Sequence, residues 1–232
     1  MIIIGIDDTD TLDSPGTNQL AKAIVRAIRE EWRCLRIVRH QLFFDPRVPY
    51  TSKNGSASIT LEPRREFDVS ELTNTCEQMM RKWFVEGSDP GLCVATNVPE
   101  SVTRFGRLCQ HDVVTQQMAR DLAADNGMIL KGLGGTEGGV IGALAATGLA
   151  ITGEDGRVVQ HGEWPDDLSG PVEIRRLHDR DIDVVDMDNA CMVTDGVVDV
   201  GKRLRPNRRS STTVLFVTAD AIPQHYTAVK LT

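Results

Sequence analysis

The densest group of reactive side chains stands near the start of the chain, in IIIGIDDTDTLDSPGTNQ. Asp7, Asp8 and Asp10 follow directly on the apolar run at residues 2–6. Carboxylates crowded where a buried strand ends repel one another and lose solvation, so the charged cluster is costly without a cation. Mg²⁺ suits it, because that ion takes one or two carboxylates and fills its other sites with water and phosphate oxygens. Asp7, Asp8 and Asp10 are therefore the expected metal ligands. A solvated acidic turn is the alternative, and the position between an apolar strand and a Gly-Thr helix start weighs against it. Thr17, preceded by Gly16, falls where a helix begins. A helix N-terminus presents free N–H groups and a partial positive charge, which suit a phosphate. The Thr17 hydroxyl could bind metal, accept a phosphoryl group, or cap the helix; Asn18 could also cap it.

Three further segments carry possible chemistry. GLGGTEGG, residues 132–139, is rich enough in glycine to let backbone approach a ligand and form an anion-binding nest. It lacks the lysine of a Walker loop and does not follow a clear strand. PYTSKNG, residues 49–55, reads as a hairpin loop that carries Lys53. Lys202, Arg203, Arg205, Arg208 and Arg209 form a basic run that could contact phosphates, or that could simply be solvated. A net charge of −7 gives no bulk attraction to nucleic acid or anionic membrane, so an RNA partner would have to use that local patch. The five cysteines make no C-x-x-C pair, and the five histidines make no H-E-x-x-H. All ten are expected to be structural or surface residues in a reducing cytoplasm, without zinc or a disulfide framework. The first residues have no basic n-region, and no apolar stretch reaches the length of a membrane span.

The elements that must position these groups follow from periodicity. Residues 2–6 read as a buried strand. Leu20, Ile24, Ile28 and Trp32 recur every fourth residue, the stripe of an amphipathic helix. Residues 35–44 and SASITLE read as strands, and Asp68 with Glu71 as a capping box opening a second helix. LCVATNV gives a fourth strand. The order β-α-β-β-α-β predicts an α/β (α+β) fold with a ferredoxin-like N-terminal unit, its sheet antiparallel and its first strand central. Residues 99–126 read as one or two helices closed by Asn126-Gly127. The segment after the glycine stretch reads as a helix with small residues Gly142, Ala146 and Ala150 on one face. Beyond 150 the pattern becomes β-rich, with GEDGRVV as a hairpin and strands near 182–186, 191–199 and 212–218. The expected division is a nucleotide-binding core over 1–150 and a β-rich part over 151–232.

These segments together resemble a known family. IGIDDTDTLDSPGTNQLA is similar to the opening of archaeal agmatidine synthase, the tRNA-isoleucine agmatinylcytidine synthetase, whose threonine/cytidine kinase domain begins with a G-I-D-D-T-D block. VPYTSKNGSAS, SDPGLCV and GGVIGALAATG resemble three later segments of that domain, in the same order. The resemblance implies ATP bound with Mg²⁺ at the acidic loop of Asp7, Asp8, Thr9 and Asp10 beside Gly16, and γ-phosphoryl transfer. It implies that Asp8, Asp10 and Thr17 are catalytic, Thr17 matching the threonine that becomes phosphorylated. Lys53, Gly138, Gly139 and Gly142 become phosphate neighbours. Two positions depart from the family: Gly134-Gly135-Thr136-Glu137 replaces basic residues, and Gly16 replaces a cysteine. The chain cannot also hold the family's further ferredoxin-like domain, OB-fold and zinc ribbon, so the kinase module is expected and the tRNA substrate does not follow.

Two other functions fit parts of the pattern. IIIGIDDTDTLDS superficially resembles the start of haloacid-dehalogenase phosphatases, with Asp8 as nucleophile and Asp10 as acid/base, but the glycine after the second aspartate is missing. A protein that kept the pocket and lost turnover would be a nucleotide-sensing or RNA-binding protein. The sequence does not name the phosphoryl acceptor.

Overall fold

The computed structural model describes residues 1–9, 15–48 and 54–231. The chain runs β1 (Ile2–Asp7), α1 (Thr17–Ala27), β2 (Trp32–Gln41), β3 (Gly55–Pro63), α2 (Val69–Trp83) and β4 (Gly91–Ala95). It continues through α3 (Glu100–Leu108), α4 (Gln116–Asp125), β5 (Ile129–Gly132), α5 (Val140–Thr152) and β6 (Arg157–His161). The remainder is β7 (Pro171–Glu173), α6 (Ile174–His178), β8 (Ile182–Asp186), β9 (Val197–Asp199), β10 (Asn207–Arg209), β11 (Thr212–Ala219) and β12 (His225–Ala228).

One mixed sheet of twelve strands carries the fold, in the order β5-β4-β1-β3-β2-β6-β10-β11-β12-β9-β7, with β8 also on β11. β1 is central and is flanked by β3 and β4, both antiparallel to it. A dehalogenase-type site needs a first strand within alternating parallel β-α units, so this pairing removes that reading. The apolar stripe of α1 and the inner face of α2 bury Leu20, Ile24, Leu72, Cys76 and Met80 against Ile2, Ile4, Ile6, Ile59 and Leu61. Asp68 caps α2 by accepting from the Ser70 N–H at 2.7 Å.

The opposite face of β1 carries α5. That helix is apolar all round because it is covered by the sheet and by α3 and α4, which share its core cluster. Its backbone comes unusually close to the sheet: a Cβ on Gly5 would stand 1.9 Å from the Ala143 carbonyl oxygen. A third cluster, with Leu177, Val184, Val198, Leu215 and Val217, fills the C-terminal strands.

Several boundaries differ from the sequence expectation. β2 begins at Trp32 and ends at Gln41. GEDGRVV is not a hairpin: Gly153 ends α5 in the left-handed region at φ 68°, and β6 then pairs with β2 and β10. The strand expected over 191–199 is confined to Val197–Asp199 plus an isolated bridge at Met192. The short strands β5, β7, β10 and β12 have no periodic signature, since three or four residues cannot show one. Among the described residues no helix is long and apolar enough to cross a membrane.

Candidate nucleotide site at the end of the first strand

The C-terminal end of β1 opens into a cavity of about 490 Å³, within the range of small-molecule sites. Asp7 and Asp8 line it beside Gly16, Thr17 and Asn18 at the start of α1, and Gly138, Gly139 and Gly142 at the start of α5. Two helix N-termini thus converge on the acidic strand end. This follows from the topology: α1 leaves the end of β1, and α5 follows β5, which runs parallel to β1 because both are antiparallel to β4.

The turn out of β1 is tight. Asp8 has φ +49°, in the left-handed region that aspartate tolerates better than most side chains. The turn buries Thr9, 4% exposed, whose hydroxyl donates to Thr17 Oγ1 at 3.0 Å. Thr17 itself is 9% exposed. The N-cap position of α1 belongs to Gly16, with extended φ/ψ of −68° and 162°. Thr17 is the first helical residue, so its hydroxyl sits at the pocket wall and not over its own helix end as a cap. Asp7 is wedged against α5: a Cβ on Gly142 would stand 1.8 Å from Asp7 Oδ2. Glycine at 142 is what admits the carboxylate there.

The glycine-rich loop is held from within. Asp89 accepts from the Thr136 N–H and, at 2.7 Å, from the Thr136 hydroxyl. Gln116 donates to the Thr136 carbonyl at 2.9 Å, and the Gly139 N–H bonds the Asp89 carbonyl. Leu42, Phe43, Val48, Val114 and Ile141 form an apolar wall on the same cavity.

Asp10 and Lys53 lie outside the described residues. Among the described residues no group of three or more His, Cys, Asp or Glu side chains could hold a metal ion. Asp7 and Asp8 supply two carboxylates, the number Mg²⁺ takes when phosphates complete its shell. The basic run does not form one solvated patch. Lys202 and Arg203 are exposed, but Arg205 pairs with Asp166 at 3.1 Å, Arg209 donates to the Glu154 carbonyl, and the Arg208 Nε is buried. Burial first, and Arg36 second, push the Arg208 guanidinium down to about 10.

Two arginines on the cavity wall, Arg39 and Arg157, carry no motif signal. Beside Arg39 runs a buried brace: His40 bonds Ser58 Oγ at 2.8 Å and the Asp155 carboxylate at 2.6 Å, and Gln110 donates to Asp155 at 2.8 Å. Ser58 is fully buried, so this Ser-His-Asp chain ties β2 and β3 to the α5–β6 connection and offers no nucleophile to solvent. That matches the structural role expected of the histidine. Cys34, Cys76, Cys93 and Cys109 are buried and pushed up to about 12 by burial; all five cysteines are free.

Fold and site together define an α+β protein whose polar cleft is built where an acidic central strand meets two helix N-termini. No family model matches the chain. It is 27% identical over 163 residues to the tRNA(Ile2) 2-agmatinylcytidine synthetase TiaS of Methanosarcina mazei, an alignment covering 67% of this chain and 37% of that protein. The chain therefore spans little more than a third of the length of the curated relative it matches. Among solved structures, a tRNA fluorescent labeling enzyme superposes with a TM-score of 0.56 at 25% identity over 63% of this chain and 35% of that one. The TiaS–tRNA(Ile2)–ATP complex superposes with a TM-score of 0.55 at 24% identity, over 63% of this chain and 36% of that one. The chain is similar to part of that synthetase.

Proposed function

We propose that this chain is an ATP-using phosphotransferase of the agmatidine-synthetase type, with its chemistry at Asp7, Asp8 and Thr17. The observation that carries the reading is the placement of Thr17. Its hydroxyl is held by Thr9 at a helix N-terminus, on the same cavity wall as two carboxylates. The similar TiaS was solved with ATP and tRNA(Ile2), which supports ATP as the donor and RNA as a candidate acceptor class. The first four strands and two helices are read as a ferredoxin-like unit, and residues 1–150 as the nucleotide-binding core on which 151–232 packs.

In the proposed step Thr17 Oγ1 attacks the γ-phosphorus. The Oγ1–P bond forms, the bond to the β,γ-bridging oxygen breaks, ADP leaves, and the hydroxyl proton passes to a carboxylate of the acidic pair. The Gly16–Thr17 helix start favours the charge of the attached phosphate. Thr9 fixes the attacking oxygen in place. Asp7 and Asp8, with Asp10, would hold Mg²⁺, which would neutralise charge on the phosphates.

The test is incubation with γ-labelled ATP followed by peptide mapping of wild type, Thr17→Ser and Thr17→Ala. Acid-stable label on Thr17, reduced in the serine variant and absent in the alanine variant, is the expected result. Thr17→Ala should lower stability by about 1 kcal/mol through the lost Thr9 contact, since Thr17 is not the helix cap. Label elsewhere, or full transfer by Thr17→Ala, would remove Thr17 from the reaction.

A further inference from the structure

Arg39 on β2 and Arg157 on β6 are register partners in antiparallel strands. Directly opposed residues hold their Cβ atoms roughly 5 Å apart on one face of a sheet. Both side chains line the cavity. Both guanidinium groups are partly withdrawn from water, and the charge of Arg157 acts against that of Arg39. Burial and then Arg157 depress the Arg39 guanidinium, against the opposing pull of Asp7; burial and then Arg205 depress that of Arg157.

Asp7 offsets only part of this charge. Arg39 donates to the neutral amide of Gln41 at 3.2 Å. Among the described residues no acceptor reaches the buried Nε of Arg157. The glycine-rich loop has the opposite character. Its Thr136 N–H is already given to Asp89, and Glu137 beside it is paired with Arg120. The donor at the tip of that loop is thus already used, and the arginine wall is the better seat for phosphate.

We infer that Arg39 and Arg157 form an anion clamp that binds the phosphate chain of a polyphosphate ligand in this cavity. The identification of that ligand as a nucleoside triphosphate rests on the function proposed above; the clamp rests on the arginine pair. A guanidinium presents a planar fork of donors matched to phosphate oxygens, and an anion between the two arginines relieves their repulsion as it binds. Affinity should rise with phosphate number, from adenosine through AMP and ADP to ATP.

The experiment is calorimetric titration of the full chain and of Arg39→Gln, Arg157→Gln and the double variant with Mg²⁺-ATP, adenosine and inorganic triphosphate. Each single change should weaken ATP and triphosphate binding roughly tenfold to a hundredfold, the value of a charge-assisted hydrogen bond. Adenosine affinity should not move. The ligand-free melting temperature should hold or rise, because a like-charge contact is removed. Should the double glutamine variant fail to fold, the double lysine variant replaces it, with the expectation of weakened but measurable triphosphate binding. Wild-type triphosphate affinity in the double variant would overturn the clamp, as would an equal loss for adenosine, which marks a structural role. If wild type binds triphosphate through the two arginines but does not bind ATP, the clamp stands and the nucleotide reading fails. If wild type binds neither, the clamp is overturned.

Discussion

Asp8 meets a backbone demand and a chemical one at the same residue. At φ +49° it must tolerate the left-handed region, and in the proposed function it presents its carboxylate to the cavity that it lines. Asparagine satisfies the first demand and not the second. Asp8→Asn should therefore weaken Mg²⁺-ATP binding at least about tenfold with the melting temperature unchanged. Asp8→Ala should lose affinity and also about 1 kcal/mol of stability. Calorimetry with thermal melts separates the two, and full ATP affinity in Asp8→Asn would exclude the residue from the site. Asp155 gives a pH-dependent counterpart. Burial raises its carboxyl, but the hydrogen bond and charge of His40, the amide of Gln110 and the charge of Arg209 outweigh burial, so the folded value lies below the ordinary one. An acid depressed in the fold stabilises it above the unfolded value near ~4, and that contribution fades as pH falls through the folded value. Melting temperature should thus fall more steeply on acidification below about pH 5 in wild type than in Asp155→Asn. Parallel curves would show that the brace contributes nothing.

At the scale of the element, α5 fixes both the core and the site. Its run of small residues lets the helix axis approach β1 closely enough for Asp7 to lie against Gly142. Gly142→Ala places a methyl group where the carboxylate is, so Asp7 must turn away. The expected result is a folded protein that has lost most of its metal-dependent nucleotide affinity, with stability lower by roughly 1–3 kcal/mol from overpacking. Gly148 is the packing control: a Cβ there would meet the Val102 carbonyl oxygen at 2.2 Å, remote from the cavity. Gly148→Ala should cost similar stability and leave affinity intact. Equal affinity loss in both variants would show that α5 acts only through folding.

The whole molecule is joined through the β2–β6 pairing. β6 supplies Val159 to the core that contains β1 and α1, and it places Arg157 beside Arg39. A fragment of residues 1–150 would therefore leave the long edge of β2 unpaired and lack one arginine of the cavity wall. Exposed strand edges of that length promote association. The fragment should aggregate or melt well below the full chain, and should bind ATP more weakly. A monomeric fragment with full-chain stability and affinity would show that the C-terminal strands are independent of the site.

The residues that announce themselves in sequence are those whose signals are local. The apolar run of β1, its acidic end, the Leu20 and Ile24 stripe of α1 and the Asp68 cap of α2 are local, so periodicity and residue type determine them; Ile28 and Trp32, which continue the same four-residue spacing, fall at the C-cap of α1 and in β2. The approximate order β-α-β-β-α-β follows from the same local patterns. Tertiary structure alone decided the rest. Arg39 and Arg157 become neighbours only through strand register, and nothing near either residue encodes that contact. The left-handed turn at Asp8 and the transfer of the cap position to Gly16 depend on how β1 and α1 are joined in space. The basic run at 202–209 looks like one surface in sequence, yet burial and pairing with Asp166 and Glu154 divide it, because the strand order of β6, β10 and β11 sets which side each arginine faces.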